Sequence, residues 1–399
     1  MLYLKSELGN NGMKANPGEN LNPQHVYGRK KLIELLWERL NEQSIVIIAE
    51  RRIGKTQVLR KMLAEPCEGW KPHFRDLEKV HTAQEFAELV YNDTQQFLNT
   101  PKRATSFIKK FLEDNETDYL NLKGRTWKTL LNSAIEDLME TELEKRLVFF
   151  WDEVPYMLES ILKNDGPKMA AEVLDTIRSL RVEKDKFRVI FTGSIGLHHV
   201  LEKLSSAGIP TSAKNDMYHV TVTPLDPPDA EKLAADLLQG EALECDDYPL
   251  AASTIAEEVD YFPFYIHHVV AGLRIEQLAA TKKNIRNFVA QQLVDASDPW
   301  QLAHYRTRLS TYYPAHDNVD CVATILDVLA LSDKATGLLS VDEILKAVNH
   351  RGDTPRDRND LLHLLRMLDA DHYLSRETDG RYRFQFELIR RWWKLDRGL

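Results

Sequence analysis

The sequence predicts a parallel α/β domain followed by a helical domain and a C-terminal domain of helices and a hairpin. Three observations support this fold class. In the first half of the chain, short apolar runs alternate with helical stretches, as expected for strands buried on both faces of a parallel sheet. Beyond about Pro224 the apolar runs stop and helical periodicity follows. From about Asp320 onward, helices are joined by a hairpin turn at Asp379-Gly380.

Four strands are predicted in the first domain, at residues 45–48, 71–77, 147–151 and 188–192. Helices are predicted between and around them, at residues 55–63, 83–98, 127–143 and 168–181. The last of these helices separates the third and fourth strands and has the length that a crossover between parallel strands requires. The alternation therefore favours a doubly covered parallel sheet.

The second half of the chain predicts helices followed by a small mixed domain. Helices are expected at residues 230–238, 248–259, 264–277, 321–331 and 355–368, and Ser340 opens another with a capping box. The hairpin strands are expected at residues 373–376 and 381–384. Three helices and a hairpin form a winged-helix arrangement. We therefore expect a flexible leader over residues 1–22, a core domain over 23–223, a helical domain over 224–315 and a winged helix over 316–399.

Composition excludes several classes of protein. The chain has 399 residues, of which 43% are hydrophobic and 28% are charged, which is typical of a globular protein of two or three domains. Cys67, Cys245 and Cys321 are too few and too far apart for a disulfide framework or a cysteine metal site. The sequence has no membrane-length apolar run and begins without a signal peptide pattern, so we expect a cytoplasmic protein with no membrane partner.

Residues 49–56, with the sequence AERRIGKT, predict a phosphate-binding loop. Their Gly-Lys-Thr end follows a buried strand and opens a helix, which is the context that such a loop requires. Backbone N–H groups at the helix N-terminus would surround the β- and γ-phosphates, Lys55 would add positive charge, and the Thr56 hydroxyl can bind Mg²⁺. The residues predicted to contact the nucleotide here are Glu50, Arg51, Arg52, Ile53, Gly54, Lys55, Thr56 and Gln57.

The acidic pair Asp152-Glu153 follows directly on the apolar strand at residues 147–151. Asp152 can hold Mg²⁺ through water, and Glu153 can activate the attacking water as a general base. Acidic pairs are also common in ordinary loops. The pair is informative because the same chain carries the strand, loop and helix of a phosphate site. Together the two segments predict binding of a nucleotide with Mg²⁺.

The fourth predicted strand ends in a polar segment, residues 191–194. A polar side chain there would lie between the acidic strand end and the γ-phosphate. We expect Ser194 to sense that phosphate, with Thr192 as the second choice. The alternative is that both residues only form a turn.

Four segments together resemble the archaeal-type ATPase family, from the STAND branch of the AAA+-related P-loop NTPases. They are residues 26–29 (VYGR), 50–56 (ERRIGKT), 150–153 (FWDE) and 192–197 (TGSIGL). The resemblance implies a P-loop NTPase core of the ASCE/AAA+ type, with Walker A and Walker B motifs, a helical lid and a winged helix. It also implies that Tyr27, Gly28 and Arg29 contribute to the adenine pocket and that Pro263 in the lid contacts the nucleotide. Lys30 and Lys31 replace the acidic residues usual after Gly-Arg, and the lid turn at residues 260–263 lacks the usual glycines.

These observations predict an ATP-binding and ATP-hydrolysing switch protein, in which Lys55, Glu153 and Ser194 act on ATP and Thr56 and Asp152 hold the metal. Family behaviour implies slow hydrolysis without a protein partner or a second copy of the chain. One alternative is a scaffold that holds ATP without turnover and works with a separate effector. Another is a DNA-binding regulator that the nucleotide controls.

The net charge of −9 argues against a protein that coats nucleic acid over its whole surface. Residues 351–399 nevertheless contain eleven basic and nine acidic side chains. Arg381 and Arg383 on the hairpin could contact phosphates of duplex DNA, and Arg358 or Asn359 could reach a base edge. A protein-interaction role for this domain is equally compatible with the sequence.

Overall fold

The computed structural model describes residues 12–18, 21–95, 123–140, 145–184, 186–193, 196–313, 316–332, 337–351 and 355–399. The chain forms two compact units. The sheet unit comprises Lys31–Ala49 and Lys55–Val222, and the C-terminal unit comprises Met1–Lys30, Glu50–Gly54 and Thr223–Leu399. The short segment Glu50–Gly54 therefore groups with the C-terminal unit, although its chain neighbours on both sides belong to the sheet unit. The domain boundaries predicted at residues 22, 223 and 315 stay predictions.

The sheet unit contains a five-stranded parallel sheet with the strand order β2-β3-β4-β1-β5. The strands are β1 (Ile45–Ile48), β2 (Trp70–Asp76), β3 (Arg146–Asp152), β4 (Phe187–Phe191) and β5 (Tyr218–Thr221). Strand β4 lies between β1 and β3, so the ends of these three strands meet at one edge of the sheet. This edge carries the phosphate loop and the acidic pair.

Four of the five strands are those predicted, each within a residue or so of its expected bounds. Strand β5 is not predicted from the sequence. The strand has four residues, and Val220 is the one buried residue among them. A short edge strand with a single buried side chain lacks the apolar run that identifies the other strands.

Helices cover the sheet. In the order of the chain they are Lys30–Leu40, Lys55–Ala64, Ala83–Gln95, Lys123–Glu140, Val154–Asn164, Pro167–Glu183 and Leu197–Ser206. The core of the sheet unit is rich in aromatic side chains. Trp151 of β3 contacts Phe86 from one helix and stacks on Phe191 of β4, with ring centroids 5.2 and 5.9 Å away. Buried aromatic pairs of this kind stabilise the sheet at the strand end where the acidic pair begins.

The C-terminal unit consists of helices and one hairpin. The helices are Pro227–Gly240, Tyr248–Glu258, Pro263–Ile275, Lys282–Val294, His304–Tyr312, His316–Ala330, Val341–Arg351, Arg358–Ala370 and Glu387–Arg397. The antiparallel strands β6 (Leu374–Arg376) and β7 (Tyr382–Phe384) form the predicted hairpin, and Leu339 adds a bridge to Tyr382. The winged-helix prediction rests on this order of helices and hairpin and stays a prediction.

Residues of the predicted leader make contacts inside the C-terminal unit. The Lys14 ammonium donates to the Gly240 carbonyl at 2.5 Å, and the Ala15 N–H donates to the Glu241 carboxylate at 2.8 Å. The Asn16 N–H donates to Nδ1 of the buried His267. Burial lowers the pKa of His267 to about 4, so at neutral pH its ring is uncharged and accepts this hydrogen bond.

Candidate functional site

The phosphate loop joins β1 to the helix Lys55–Ala64. Gly54 takes a φ of +101°, which strongly favours glycine. The next residue, Lys55, begins the helix, so the helix N-terminus lies directly after the loop. The buried Lys55 side chain donates from Nζ to the Ala49 carbonyl at 2.9 Å. The predicted loop lysine therefore folds back over its own loop, with its charge at the end of β1.

Asp152 at the end of β3 is held in a network of hydrogen bonds. The Thr56 hydroxyl donates to Oδ2 of Asp152 at 2.7 Å. The Thr192 hydroxyl donates to Oδ1, which also accepts the Glu153 backbone N–H at 3.1 Å. The carboxylate is buried, with 6% of Asp152 exposed. Because three donors orient it, this carboxylate has a fixed position.

The same atoms have the chemistry of a site for a hard divalent cation. A hydroxyl and a carboxylate are oxygen donors of the type that Mg²⁺ prefers, and Mg²⁺ is commonly held by one or two protein ligands plus phosphate oxygens. Thr56 and Asp152 offer these donors within hydrogen-bond distance of each other. The two residues predicted to hold the metal therefore fit it.

Glu153 occupies a strained turn between β3 and the next helix. Its φ of 57° and ψ of 33° lie in the left-handed region, which costs a residue with a side chain about 1–3 kcal/mol. The following backbone N–H, that of Val154, donates to the Thr192 carbonyl at 3.1 Å. This turn lets Asp152 point back toward Thr56 while the chain turns into the helix Val154–Asn164.

Ser194 and Thr192, the first and second choices for sensing the γ-phosphate, differ in what the structure describes. Ser194 lies outside the described residues, so its proposed role stays a prediction. Thr192, the second choice, is buried, and its hydroxyl donates to the carboxylate of Asp152. Gln57 lies half-buried on the helix that begins at Lys55.

The residues implied for the adenine pocket lie in the C-terminal unit. The Tyr27 hydroxyl donates to the Asp236 carboxylate at 2.5 Å. Gly28 has a φ of +61°, and a Cβ there would lie 2.9 Å from atoms of Asp229, so both backbone and space favour glycine. Arg29 is buried and donates to the carbonyls of Thr223 and Ile53 at 2.9 and 3.0 Å.

Arg29 therefore joins the start of the chain to the loop segment Glu50–Gly54. Burial lowers the pKa of Arg29 to about 10, against the effect of the nearby Asp226 and Asp229, so the guanidinium stays charged at neutral pH. By donating to the carbonyl of the buried Ile53, Arg29 stabilises the position of this loop segment.

Glu50 forms a buried ion pair with Arg308, a residue that the sequence does not predict at this site. Two guanidinium nitrogens of Arg308 donate to the two carboxylate oxygens of Glu50 at 3.1 and 3.3 Å. The side chains of Glu50 and Arg308 are 1% and 10% exposed. Burial alone would raise the pKa of Glu50, but the positive charge and hydrogen bonds of Arg308 hold it below its ordinary value. The carboxylate is therefore ionised at neutral pH.

The two loop arginines behave differently from each other. Arg51 is exposed, and its backbone N–H donates to the Glu50 carboxylate at 2.7 Å. Arg52 has a left-handed φ of 69°. Its guanidinium lies 4.3 Å from the centre of the Phe264 ring and donates to the Gln301 side chain. Arg52 is thus held by a cation–π contact and a hydrogen bond of the C-terminal unit.

The turn before the helix Pro263–Ile275 is where the resemblance implies lid glycines. Asp260 and Tyr261 stand there with φ values of 48° and 60°, which are conformations that glycine adopts most easily. The Asp260 carboxylate accepts the Leu388 N–H at 2.5 Å, and the Tyr261 carbonyl accepts the Leu225 N–H at 3.1 Å. Pro263 occupies the first turn of its helix. The backbone shape of a glycine turn is therefore present without the glycines.

The arginines predicted to contact DNA have acidic partners. Arg358 pairs with Asp342. On the hairpin, Arg381 donates to Asp379 at 2.7 Å and Arg383 lies 3.0 Å from Glu377. A guanidinium paired with a carboxylate of the same domain presents less net charge to a phosphate. These pairs disfavour the hairpin as a strong phosphate-binding surface.

The structure thus brings together most of the predicted phosphate-site residues. In the sheet unit, Lys55, Thr56 and Asp152 lie at the ends of β1 and β3 with Thr192 between them. Arg308 is not predicted from the sequence, because its link to Glu50 spans 258 positions of the chain. No local pattern could reveal that contact.

Comparison with solved structures identifies the fold. The chain is similar to the Walker-type ATPase paby2304 of Pyrococcus abyssi, with a TM-score of 0.64, 16% identity and coverage of 94% of this chain and 99% of that one. It is also similar to the ORC2 protein of Aeropyrum pernix, described in ADPNP–ADP complexes, with a TM-score of 0.55, 11% identity and coverage of 96% and 98%. No protein-family model and no curated protein sequence matches the chain.

At such identities the likeness establishes the fold. The predicted fold class is confirmed as a parallel-sheet core with the P-loop NTPase fold of these structures, followed by a helical domain. The STAND assignment and the winged helix stay predictions. Among the described residues, no helix combines the length and the apolar character needed to cross a membrane.

Proposed function

We propose that the protein binds ATP with Mg²⁺ and hydrolyses the γ-phosphate. One observation supports this above the others: the Thr56 hydroxyl, at the start of the loop helix, donates to the Asp152 carboxylate at the end of β3, over 2.7 Å. A strand–loop–helix unit and an acidic strand end meet there with the donors that a Mg²⁺–phosphate complex needs. The ADPNP–ADP complexes of the A. pernix ORC2 structure are in keeping with this proposal.

The residues of the loop have separate roles in the proposed reaction. Lys55 would turn from the Ala49 carbonyl toward the β- and γ-phosphates and neutralise part of their charge. Backbone N–H groups at the helix N-terminus would donate to phosphate oxygens. Thr56 and Asp152 would hold Mg²⁺, and bound Mg²⁺ supplies neutralisation of the charge on the phosphate oxygens.

Glu153 would accept a proton from the water that attacks the γ-phosphate. Its strained turn fixes the backbone next to the metal-site carboxylate, and such strain is commonly stored at functional sites. A carboxylate adjacent to the metal ligand favours attack by water over transfer to a second substrate. Ser194 is proposed to contact the γ-phosphate, with Thr192 orienting Asp152.

The base of ATP is proposed to lie near Tyr27, Gly28 and Arg29, with Pro263 on the helical side. The resemblance of residues 26–29 to the ATPase family supports this placement. Hydrolysis would act as a switch that changes the interaction with a protein partner or a second copy of the chain. Duplex DNA is a less favoured partner because the hairpin arginines are paired with carboxylates.

The test is binding and turnover of ATP by matched variants of the full chain. We expect Lys55→Ala to lose ATP binding, whereas Lys61→Ala, on the same helix but paired with Glu65 at its surface, keeps it. We expect Glu153→Gln to bind ATP and lose phosphate release. Its control, Glu159→Gln, removes a carboxylate that pairs with Lys203 on the helix Leu197–Ser206 and should turn over normally.

The outcomes separate the alternatives. Binding that depends on Lys55 without turnover in the native protein would favour the non-hydrolysing scaffold. An absence of ATP and ADP binding in native protein that is folded by circular dichroism would overturn the proposal.

A further inference from the structure

The segment Glu50–Gly54 of the phosphate loop is held by side chains that come from distant parts of the C-terminal unit. Arg308 binds the Glu50 carboxylate, Gln301 and Phe264 hold the Arg52 guanidinium, and Arg29 binds the Ile53 carbonyl. Three of the five residues of this segment, Glu50, Arg52 and Ile53, are therefore bound by groups outside the loop. Among these contacts, the one between Glu50 and Arg308 is an ion pair, and both of its side chains are largely buried.

Arg308 is also the most extensively bonded of these groups. Besides the two bonds to Glu50, its Nε donates to the Tyr373 hydroxyl at 2.7 Å and one terminal nitrogen donates to the Asp371 carbonyl at 3.1 Å. Its guanidinium lies 4.5 and 4.3 Å from the ring centres of Tyr305 and Tyr373. A planar guanidinium suits this combination of a bidentate carboxylate and stacked rings, and a lysine ammonium does not reproduce it.

The Glu50 carboxylate transmits this restraint to the loop backbone. Its Oε1 accepts both the Arg308 guanidinium and the Arg51 N–H. If Arg308 is removed, a buried carboxylate loses its cation, and such a group must either move toward water or take up a proton. Movement displaces the residue that begins the segment Glu50–Gly54, and protonation weakens the hydrogen bond that its carboxylate accepts from the Arg51 N–H.

We propose that Arg308 is a positioning residue for the phosphate loop, acting through Glu50 to keep residues 50–54 in their phosphate-binding shape. Through Asp371 and Tyr373 the same guanidinium connects the loop to the segment that leads into β6. Arg308 thereby contributes to the affinity for nucleotide. This inference rests on the proposed function, because it assigns a purpose to a loop that is proposed to bind ATP.

The first measurement is hydrogen exchange of the loop peptide in the full chain without nucleotide. We expect Arg308→Gln and Glu50→Gln each to speed exchange of the amides at residues 50–54 by about tenfold, and the double variant to match the single ones, because each change breaks the same link. Arg391→Gln is the matched control, since it breaks another Arg–Glu pair of the unit, with Glu258, that does not involve the loop. Arg308→Lys keeps the positive charge but removes the planar guanidinium that binds both carboxylate oxygens, so it tests the same link to Glu50.

The second measurement is the dissociation constant for ATP and ADP, with kcat and KM for phosphate release. Arg308→Gln should weaken nucleotide binding by about tenfold, and combining it with Glu50→Gln should weaken binding no further than either change alone. Arg391→Gln should leave binding unchanged. Unfolding in urea is measured in parallel. A loss of stability equal in Arg308→Gln and Arg391→Gln, with loop exchange and binding unchanged in both, would overturn the proposal and leave Arg308 a structural residue.

The two proposals fail in different ways. If the native protein binds no nucleotide but Arg308→Gln still speeds exchange in the loop peptide, the proposed function fails and the positioning of the loop stands. If the native protein binds ATP and neither Arg308→Gln nor Arg308→Lys alters loop exchange, the positioning role fails alone. If Arg308→Gln does not fold, Arg308→Lys and Glu50→Gln decide the result.

Discussion

The Thr56 hydroxyl and the Asp152 carboxylate lie 2.7 Å apart although 96 positions of the chain separate them. Parallel pairing of β3 with β4 and of β4 with β1 brings the ends of these strands to one edge of the sheet. The contact therefore depends on the topology of the sheet and on the helix that begins at Lys55. It is the arrangement on which the proposed metal site depends.

We expect Thr56→Val to weaken Mg²⁺-dependent ATP binding by about tenfold or more, because a methyl group of similar size replaces a proposed oxygen ligand. Thr56→Ser keeps the hydroxyl and should bind almost normally. The measurement is ATP affinity as a function of Mg²⁺ concentration. As a control, Thr176→Val removes a hydroxyl that bonds within its own helix to the Glu172 carbonyl. Equal affinities in Thr56→Val and the native protein would exclude Thr56 as a ligand.

A second prediction concerns Gly54, whose φ of +101° is unfavourable for any residue with a side chain. Among the described atoms, none lies within 4 Å of the Cβ that alanine would place there. The cost of Gly54→Ala is therefore backbone strain, about 1 kcal/mol or more, and the loop can relieve it by changing shape. We expect loss of ATP affinity, measured by titration calorimetry.

Gly69→Ala is the matched control for this substitution. Gly69 has a φ of +81° and equally open space, but it lies in the connection that precedes β2. Its substitution should lower stability to a similar degree and leave ATP affinity unchanged. Similar affinity losses in both variants would show that general destabilisation, and not the loop shape, is responsible.

The sequence predicts the parts of the site that follow local rules. The strand at residues 147–151 is a continuous apolar run, and Asp152 and Glu153 come directly after it. Gly54, Lys55 and Thr56 form a motif in consecutive positions. Both kinds of signal are contained in a few neighbouring residues, so neither needs the tertiary structure.

Other parts of the site depend on tertiary contacts between residues that are far apart in the sequence. Glu50 looks like one acidic residue in a basic loop until Arg308 is placed against it. The helix His304–Tyr312, which carries Arg308, has only a weak apolar pattern, since two of its nine residues, Tyr305 and Leu309, are buried. Tertiary packing decides such segments, and it overrides local propensity.

The winged-helix interpretation leads to a prediction about duplex DNA. Arg381 and Arg383 are paired with Asp379 and Glu377, so we expect them to make no net contribution to phosphate binding. Two phosphate contacts would contribute about −1.8 to the slope of log affinity against log salt concentration. Substitution of both arginines by glutamine should change that slope by far less. The measurement is fluorescence anisotropy of a labelled duplex at several salt concentrations.

The acidic partners provide the control for the DNA experiment. Asp379→Asn with Glu377→Gln releases both guanidinium groups and should steepen the salt dependence if the hairpin can reach a duplex at all. A native slope that becomes shallower by about 1.8 in the double arginine variant would contradict our expectation. That result would favour the DNA-binding regulator.

The last prediction concerns the pH dependence of stability at Asp260. Burial raises the pKa of its carboxyl to about 6 from an ordinary 3.8, and Glu387 adds to the rise, while the Leu388 N–H and Arg391 oppose it. The folded protein therefore binds this proton more tightly than the unfolded chain does. The stabilisation is complete below about pH 4 and is lost as the pH rises through 6, and this loss reaches about 2–3 kcal/mol at pH 7.

Asp260→Asn removes that titration and keeps an oxygen that can accept the Leu388 N–H. Asparagine also tolerates the left-handed backbone at this position. We expect the variant to match the native protein near pH 4 and to be more stable by about 2 kcal/mol at pH 7.5, measured by urea unfolding at a series of pH values. Asp246→Asn, at an exposed carboxylate of the same unit, should show no such difference. Native and Asp260→Asn curves that stay parallel from pH 4 to 8 would show that the Asp260 carboxyl titrates normally.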